Sequence, residues 1–320
     1  MSLIPTKSVP NHDFAEAIER LRVGKCVAIP TETVYGLAAD ATNGFAVAEI
    51  FRMKGRPSFN PLLCHVCDFD MASRTGHFSQ LAKMLATAFW PGPLTLVVPL
   101  KEENGIHPLV TAELPSVGIR CPKGSARDLI RHFGKPLAAP SANRSGRISP
   151  TTAAHVRSEF PNEDLLVIDE GSCDCGLEST IIKVEGAELI TLRPGSVTDG
   201  MIEAATGIKP HAFSGNGIEA PGMMTSHYAP DARVRLNCEQ APSDGAWLQY
   251  GPETKESDIP NLNLSPTGSL IEAAANLYQY LKQLDQMAVD TIHVSPIPQE
   301  GVGIAINDRL RRAAAPRDAS

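Results

Sequence analysis

The chain has 320 residues, of which 42% are hydrophobic and 20% are charged. This composition is typical of a globular protein with one or two cores, and it excludes disordered and collagen-like chains. The net charge of -7 does not favour long-range attraction of polyanions, so any contact with nucleic acid would have to be local. Residues 1–14 lack the apolar segment of a signal peptide, and the longest apolar runs are too short to span a bilayer. We therefore expect a cytoplasmic protein.

Seven cysteines without a regular spacing favour reduced thiols over a disulfide scaffold. Cys64 and Cys67, with His65 between them, resemble half of a zinc site. Their segment has the pattern of a strand, however, and strand side chains three apart point to opposite faces. Cys173 and Cys175 have no second pair at zinc spacing. The sequence therefore predicts no structural metal.

Short β-branched runs alternate with helical patterns over the first two hundred residues, which predicts a layered α/β domain. The first predicted strand covers residues 25–30. Asn43 is expected to cap a helix that Gly55 ends, and this places Lys54 in its last turn. The next predicted elements are a helix from Ser79, strands at 94–98 and 117–121, a helix ending at Gly134, a strand at 137–139, and strands near Leu165, Thr180 and Leu189.

Residues 206–230 are rich in Gly, Pro, Ser, Asn and Met and lack periodicity, which is typical of a linker. The patterns after it predict a second α/β unit, with strands at 233–236, 247–250 and 291–294, a helix over 270–284, the run 303–306 and a final arginine-rich helix. We expect three parts: a catalytic domain at 1–205, a linker at 206–230 and a C-terminal domain at 231–320. Residues 1–230 carry a net charge of -3 and the remainder -4, so neither part is a basic platform.

Lys54 and Arg56 lie two residues apart at the end of a predicted helix. Pro57 favours an extended conformation at Arg56, and Gly55 is flexible, so the two cations can converge on one side. A mobile ammonium and a planar guanidinium suit a polyphosphate and the charge that develops on it during reaction. The alternative is a solvated helix end with favourable dipole charges.

A buried strand runs directly into the segment 140–146, which contains Ser141 and Asn143. In open α/β sheets ligands bind at the carboxyl ends of strands, so these polar groups are candidates for ligand contacts. An ordinary Asx or Ser turn is the alternative. Ser149 is consistent either with a helix cap or with an anion contact at a helix N-terminus.

Thr33 follows the first strand in the same way and offers a hydroxyl. Arg120 is a charge in an otherwise buried strand, so it needs a partner, and a ligand carboxylate would serve. His65 shares a strand face with Leu63, and a hydrogen-bonded core histidine is its alternative role. Arg193 is a further cation at a strand end. Neither a P-loop nor a dinucleotide-binding glycine motif after a strand occurs in the sequence.

Several short motifs follow one another along the chain. They are Pro30-Thr-Glu-Thr-Val-Tyr-Gly-Leu, Lys54-Gly-Arg-Pro with Asn60-Pro-Leu, Trp90-Pro-Gly-Pro-Leu-Thr, Val117-Gly-Ile-Arg, Ala139-Pro-Ser-Ala-Asn with Ser145-Gly, Leu177-Glu-Ser-Thr-Ile and Leu192-Arg-Pro-Gly. In this order they resemble the YrdC/Sua5 family. His227-Tyr-Ala-Pro and the segment from Gly303 to Ala314 resemble the longer, two-domain Sua5 type.

The resemblance implies a YrdC-like open, twisted, mixed sheet with helices, followed by a smaller Rossmann-like α/β domain. It implies the activity of an L-threonylcarbamoyladenylate synthase, a nucleotidyltransferase. Its substrates would be L-threonine, bicarbonate or CO2, and ATP with Mg²⁺, and its products threonylcarbamoyl-AMP and pyrophosphate. A tRNA threonylcarbamoyltransferase would consume the product in t6A modification of tRNA. No protein ligand for Mg²⁺ is assigned, no membrane partner is expected, and a weak direct contact with tRNA stays open.

The resemblance also implies residue roles. Lys54 and Arg56 would stabilise the triphosphate and the leaving pyrophosphate. The threonine pocket would use Thr33, His65, Arg120, the backbone of Ala139, and Ser179. The ATP side would use Arg56, Asn60, Ser116, Ser141, Asn143, Ser149 and Arg193, with Tyr228 from a linker that closes over the site. At position 116 a serine stands where the family pattern has a threonine, which keeps the hydroxyl.

Two other functions compete with this interpretation. One is carbamoyl-AMP formation from carbamoyl phosphate, as in hydrogenase-maturation proteins, but those chains carry zinc-finger and acylphosphatase parts that this sequence lacks. The other is a non-catalytic RNA-binding module, which the net charge disfavours because phosphate contacts need clustered Lys and Arg. Salt-sensitive tRNA binding without ATP consumption would indicate the second.

Overall fold

The computed structural model describes residues 7–9, 14–215, 217–224, 227–240, 242–252 and 258–316. The strands of these residues are β1 (Lys7–Val9), β2 (Val27–Ile29), β3 (Gly36–Asp40), β4 (Leu63–His65), β5 (Leu94–Pro99), β6 (Ser116–Arg120), β7 (Leu137–Ala138), β8 (Leu166–Ile168), β9 (Thr180–Glu185), β10 (Glu188–Arg193), β11 (His211–Ala212), β12 (Arg233–Arg235), β13 (Ala246–Gln249), β14 (Asn261–Asn263) and β15 (Thr291–Val294). The helices are α1 (Ala15–Arg22), α2 (Gly44–Lys54), α3 (Phe69–Thr75), α4 (Gln80–Phe89), α5 (Pro108–Thr111), α6 (Ser125–Phe133), α7 (Ala153–Glu159), α8 (Asp199–Thr206), α9 (Leu270–Asp285) and α10 (Gly303–Ala314).

Helix α2 begins and ends where its sequence predicts. The side chain of Asn43 accepts hydrogen bonds from two backbone N–H groups of the first turn, and this satisfies donors that have no partner within the helix. Gly55 ends the helix in the left-handed conformation, with a φ of 59°. The helix therefore stops at Lys54, and the chain turns there toward β4.

Strands β1 to β11 form one mixed sheet, the large sheet, in the order β1-β8-β2-β3-β7-β4-β6-β5-β9-β10-β11. Its centre determines the site, because β4 pairs with β6 in parallel and with β7 antiparallel. His65 is the register partner of Arg120, so these two side chains lie next to each other on one face of the sheet. The predicted mixed α/β fold class is confirmed.

Strands β12 to β15 form a second, all-parallel sheet, the small sheet, in the order β12-β15-β13-β14. Helices α9 and α10 pack with it in a core that also contains Val34, Ile148 and Leu177 from the large-sheet part of the chain. The two sheets are thus joined by shared apolar packing. The run 303–306 belongs to α10 rather than forming an element of its own.

Four strands were not predicted. Strand β1 precedes the first predicted strand, and β3 follows it and lies inside the large sheet. Strand β11 lies within the segment predicted as a linker and pairs in parallel with β10, and β14 pairs with β13. Strands β1, β11 and β14 are short edge strands, whose pairing to a neighbour leaves little periodic signal in the sequence. In the part of the chain that the structure describes, no helix combines the length and the apolarity needed to cross a membrane.

Candidate active site

A small cavity lies over the centre of the large sheet, on the face that carries Leu63, His65 and Arg120. The sequence predicted that the ligand-binding side chains lie at the carboxyl ends of neighbouring strands. Strand β7 runs antiparallel to β4, however, so the carboxyl ends of these two strands, near Ser141 and His65, lie at opposite edges of the sheet. The Ser141 and His65 side chains meet over the sheet face instead. The cavity lining consists of Thr31, Thr33, Val34, Gly36, Arg56, Leu63, His65, Arg120, Ala139, Pro140, Ser141, Glu178, Ser179, Arg193, Pro221, Gly222, His227 and Tyr228.

Pro221, Gly222, His227 and Tyr228 cover the cavity. Ala220 belongs to an apolar cluster on the sheet face together with Leu63 and Leu192, and Tyr228 is buried. The free volume that remains is about 40 Å³, which is room for a few water molecules at most. The chain itself therefore fills most of the site, and the cover has to move before a larger ligand can enter.

At one end of the cavity, Arg120 is held by an acidic and a hydroxyl partner. Its Nη1 donates a hydrogen bond of 2.8 Å to Thr33 Oγ1, and its Nε donates to the carbonyl of Gly92. Its Nη2 lies 2.9 Å from Glu32 Oε2, in an ion pair without hydrogen-bond geometry. The buried charge of Arg120, for which the sequence predicted a partner, is thus balanced by Glu32.

His65 lies beside Arg120 and is buried. Burial, and secondarily the Arg120 charge, lower the pKa of His65 to about 3, so its imidazole is neutral near pH 7. Its Nδ1 makes no hydrogen bond. A neutral ring with an unpartnered nitrogen next to a fixed guanidinium is suited to bind a small polar molecule by both groups.

At the other end, Arg56 and Arg193 are buried cations whose hydrogen bonds all go to neutral oxygens. Arg56 donates to both the carbonyl and the side-chain oxygen of Asn60 and to the carbonyl of Pro61. Arg193 donates to the carbonyl and hydroxyl of Ser179 and to the carbonyl of Pro221. Burial lowers the pKa of Arg56 to about 10 and lowers that of Arg193. Their charge is left for an anionic ligand to balance.

Lys54 lies beside this end but does not line the cavity. Its Nζ donates hydrogen bonds to the backbone carbonyls of Ser141, at 2.6 Å, and of Asn143, at 2.5 Å. Burial and the neighbouring Arg56 lower the pKa of Lys54 well below its usual range. The ammonium group therefore holds the turn that presents Ser141 to the cavity, and it adds positive potential behind Arg56.

Glu178 connects the cavity wall to the small-sheet part of the chain. It accepts hydrogen bonds from Ser149 Oγ, from Tyr278 Oη at 2.9 Å and from Arg309 Nε at 2.9 Å. Burial would raise the pKa of Glu178, but the charges of Arg309 and Arg193 lower it to about 2. Arg309 is the ion-pair partner of this carboxylate, whereas Arg193 interacts with it through charge without forming an ion pair.

Tyr228 is positioned from below by the same network. The guanidinium of Arg309 lies 5.2 Å from the centre of the Tyr228 ring, and the ring of Tyr278 is stacked on it at 5.8 Å. Gly222 passes so close that a Cβ there would lie 2.6 Å from Tyr228 Oη, at a φ of 85° that favours glycine. Tyr228 itself has a φ of 63°, a conformation that non-glycine residues adopt only when their surroundings enforce it.

Several buried polar atoms of the cavity lining have no hydrogen-bond partner. They are His65 Nδ1, His227 Nδ1 and Tyr228 Oη. Buried polar groups are nearly always paired in folded proteins, so a cluster of unpaired ones marks a place where another molecule binds. Asn143 Oδ1 is unpaired as well, next to the turn that Lys54 holds.

The structure brings most of the predicted site residues together. Those that line the cavity are Thr33, Arg56, His65, Arg120, Ala139, Ser141, Ser179, Arg193 and Tyr228. Three others contact a lining residue or its backbone, namely Lys54, Asn60 and Ser149, and Asn143 accepts a hydrogen bond from Lys54. The remaining residue, Ser116, is not brought to the cavity.

Ser116 begins β6, whereas Arg120 ends it. Four steps of extended strand, at ~3.3 Å each, separate the two residues, and Ser116 pairs with Pro99 at the far end. Ser116 does not line the cavity, and its place on the ATP side stays a prediction.

Sequence reasoning gave no role to Glu32, Glu178, His227, Tyr278 or Arg309. Four of the five lie within the sequence motifs quoted above, but the motifs alone did not indicate which role each residue has. Their roles depend on contacts across long stretches of chain, such as the pair of Glu178 and Arg309. A single sequence does not reveal such pairs.

The donor set does not suit a protein-held Mg²⁺. This ion takes oxygen ligands in an octahedron, usually with one or two carboxylates. The carboxylate on the lining, Glu178, is already bound by Arg309 and Tyr278, and Glu32 is paired with Arg120. Within the described ranges no group of three potential ligands gathers.

Two family models match the chain. The model Sua5_yciO_yrdC, described as "Telomere recombination", matches residues 19–195. The model Sua5_C, described as "Threonylcarbamoyl-AMP synthase, C-terminal domain", matches residues 197–315. Together they cover almost the whole chain.

Similar proteins cover the chain at comparable length. Threonylcarbamoyl-AMP synthase of Bacillus subtilis is 39% identical over 97% of this chain and 95% of its own length, and that of Pyrococcus abyssi is 37% identical over 93% and 92%. The crystal structure of P. abyssi Sua5 complexed with L-threonine superposes with a TM-score of 0.88 at 34% identity, over 97% of this chain and 98% of that one. Escherichia coli YciO, at 18% identity and a TM-score of 0.52, shares the fold.

Proposed function

This chain belongs to the Sua5/YrdC family, and from that premise we propose how its cavity performs the family's reaction. It is an L-threonylcarbamoyladenylate synthase, a nucleotidyltransferase that acts in the first step of t6A formation on tRNA. The observation that carries the residue assignment is that the two ends of the cavity differ. At one end, Arg120 forms an ion pair with Glu32 and lies beside polar atoms that have no hydrogen-bond partner. At the other end, the buried Arg56 and Arg193 donate to neutral oxygens and form no ion pair with any residue that the structure describes.

We propose that L-threonine binds at the Arg120 end. The carboxylate of the amino acid would approach Arg120 Nη2, which makes no hydrogen bond in the chain itself. Thr33, the backbone of Ala139, and Ser179 would complete the pocket, and the unpaired Nδ1 of His65 would contribute one further hydrogen bond. The relative from P. abyssi, whose structure is described as a complex with L-threonine, supports this choice of ligand.

We propose that the triphosphate of ATP binds at the Arg56 end. Its charge would balance Arg56 and Arg193, with Lys54 adding potential from behind and Ser141 offering a hydroxyl. Asn60 would act by orienting the Arg56 guanidinium, which it accepts from at 2.6 Å. Asn143 and Ser149 would support the same end through the turn and through Glu178.

The reaction then needs two bond-forming steps. The threonine amine attacks CO2 and loses a proton, which gives a carbamate. A carbamate oxygen attacks the α-phosphorus, the bond from that phosphorus to the bridging oxygen breaks, and pyrophosphate leaves with the electron pair. Arg56 and Arg193 would stabilise the charge that moves onto pyrophosphate, and holding both anions within one cavity would supply much of the remaining acceleration.

Residues 220–224, with His227 and Tyr228, would act as the lid predicted from the linker sequence, and we place that linker at residues 206–230, between the two domains. The contacts of the lid to Arg193 through Pro221, and the small remaining volume, support a closed state that excludes water. Exclusion of water protects a mixed anhydride from hydrolysis and strengthens the charge interactions inside. Mg²⁺ would enter as a companion of the ATP phosphates, and we assign no step to it. A cytoplasmic location, and a weak contact with tRNA, remain proposals of the same kind.

The direct test follows pyrophosphate release from ATP with threonine, bicarbonate and ATP omitted in turn. We expect release only when all three are present, together with a nucleotide product that carries both threonine and the added carbonyl. Release that is indifferent to threonine, or tRNA binding without ATP consumption, would contradict the proposal.

A further inference from the structure

A second cavity, of about 490 Å³, lies on the outer face of the small sheet, away from the active site. Its lining includes Arg235, Cys238, Asp244 and His293. The strands are parallel, so the connection from the end of β12 to the start of β13 has to run back across β15, which lies between them. This crossing brings Cys238 and Asp244, near the two ends of the connection, to His293 in β15.

The three side chains stand in a row. Cys238 Sγ lies 3.7 Å from His293 Nδ1, and His293 Nε2 lies 3.4 Å from Asp244 Oδ1. His293 is 95% buried, since its exposed fraction is 5%, and its Nε2 has no hydrogen-bond partner. Cys238 is partly exposed. A thiol, an imidazole and a carboxylate in this order allow the ring to accept the thiol proton while the carboxylate orients the ring.

The other cysteines lack such surroundings. Burial raises the pKa of each of their thiols, which keeps them protonated and unreactive near pH 7. They are Cys26, Cys64, Cys67, Cys121, Cys173 and Cys175. The chain therefore offers one thiol that faces an open cavity beside a proton acceptor.

We propose that Cys238 is a thiol-modification site that reacts with a low-molecular-weight anionic disulfide, with His293 as proton acceptor and Asp244 as its orienting group. The Cys238 thiol proton passes to His293 Nδ1. The thiolate attacks one sulfur of the disulfide, a bond forms between Cys238 Sγ and that sulfur, and the disulfide bond breaks. The second half leaves as a thiolate and takes up a proton from solvent.

The lining of this cavity has one cation, Arg235, and two carboxylates, Glu239 and Asp244. Arg235 is exposed, so it is the group that can pair with a carboxylate of the incoming disulfide. The volume of about 490 Å³ lies within the range of ~300–1,000 Å³ that is usual for small-molecule sites. The site belongs to the small-sheet part of the chain and does not depend on the proposed roles at the active site.

The test exposes the folded full-length protein to oxidised glutathione without reductant and follows intact mass and peptide masses. We expect one adduct, on Cys238. The Cys238→Ser variant should form none, whereas Cys175→Ser, which removes the other partly exposed thiol, should react like the unmodified sequence. An adduct on another cysteine, or equal labelling of several, would overturn the proposal.

The role of His293 is tested by rate. The His293→Gln variant should react with the disulfide at least about tenfold more slowly, since general-base assistance contributes that much or more. In denaturant both proteins should react alike. Asp244 is exposed, so Asp244→Asn is not expected to affect folding, and it should slow the reaction by a smaller factor. If Asp244→Asn, and His293→Gln where it folds, react as fast as the unmodified sequence, the assignment is wrong.

Discussion

The two ends of the active-site cavity hold their arginines in different ways. Arg120 lies 2.9 Å from the carboxylate of Glu32, whereas Arg56 and Arg193 donate only to neutral oxygens. A guanidinium group that is paired with a carboxylate has a smaller desolvation penalty than an unpaired one, and its orientation is fixed, so it is suited to orient a ligand. Unbalanced guanidinium groups destabilise the empty site and attract an anion. The Arg120 end of the cavity thus mainly orients a ligand (the end for geometry), and the end with Arg56 and Arg193 mainly attracts an anion (the end for charge).

A fourth buried arginine extends this comparison beyond the cavity. Arg309 is balanced like Arg120, through Glu178, but it lies behind the lid rather than on the lining. If the difference between balanced and unbalanced arginines is real, loss of Arg309 should mainly affect folding stability, and loss of Arg56 should mainly affect turnover.

Arg309→Met is expected to give the largest effect. It leaves Glu178 buried without its main counter-charge, and breaking a buried pair in this way costs about 3–5 kcal/mol of unfolding free energy. Urea denaturation monitored by circular dichroism measures this. The double variant Glu178→Gln with Arg309→Met should recover a large part of the loss. A double variant that is less stable than Arg309→Met alone would contradict the pairing.

Arg56→Ala should reduce turnover by roughly a hundred- to a thousandfold, the range found for lost electrostatic donors. The measurement is pyrophosphate release at saturating threonine. Arg52→Ala is a matched control, because Arg52 lies in the last turn of α2, four residues before Arg56, but is exposed and pairs with Glu49 and Glu163. Equal loss of activity in both variants would show that the position of the charge does not matter.

Lys54→Met should lower both the unfolding free energy and the turnover. It removes the donor to the carbonyls of Ser141 and Asn143, and a buried acceptor left without a partner costs about 1–3 kcal/mol. Turnover should fall as well, because the turn that carries Ser141 loosens. Unfolding at the same urea concentration as the unmodified protein would indicate that Lys54 does not hold this turn.

Arg120→Lys should act at the geometric end. A lysine keeps the charge but cannot replace the planar fork that contacts Thr33, Gly92 and Glu32, so the KM for threonine should rise about tenfold, equivalent to about 1.4 kcal/mol. The KM for ATP should stay within about twofold of its original value. A larger rise in the KM for ATP than for threonine would reverse the assignment of the two ends.

The neutral histidines predict a smaller, pH-dependent effect. Burial lowers the pKa of both His65 and His227 from 6.5 to about 3. Below pH 6.5 the unfolded chain therefore binds protons that the folded chain does not, and stability falls as the pH decreases toward 3. Each histidine should contribute about 1 kcal/mol of this loss by pH 5.5. His227→Gln should reduce the slope of unfolding free energy against pH between 6.5 and 4, and an unchanged slope would contradict the neutral state of His227.

The sequence predicted what depends on neighbours along the chain. The cap at Asn43, the stop at Gly55 and the strand that carries His65 are local features, and each is found as predicted. The buried charge of Arg120 was also recognised as one that needs a partner. Its actual partner, Glu32, was not identified because it comes from a segment 88 residues earlier in the chain.

The site was predicted less completely than the fold, for the same physical reason. Sequence motifs assigned Ser116 to the ATP side, and in the structure it does not line the cavity. They assigned Lys54 to the stabilisation of the triphosphate together with Arg56, and in the structure Lys54 donates to two backbone carbonyls. Long-range pairing decides which side chain faces the cavity and which supports it, and a list of motifs carries no information about that.

The central claim concerns the charge at the Arg56 end, and calorimetric titration with pyrophosphate tests it most directly. The unmodified protein should bind pyrophosphate. Arg193→Met should lose about tenfold or more in that affinity, as expected for one charge-assisted contact, and should bind threonine as before. Equal pyrophosphate affinity in the two proteins, or a loss of threonine binding alone, would contradict the division of the cavity into an end for geometry and an end for charge.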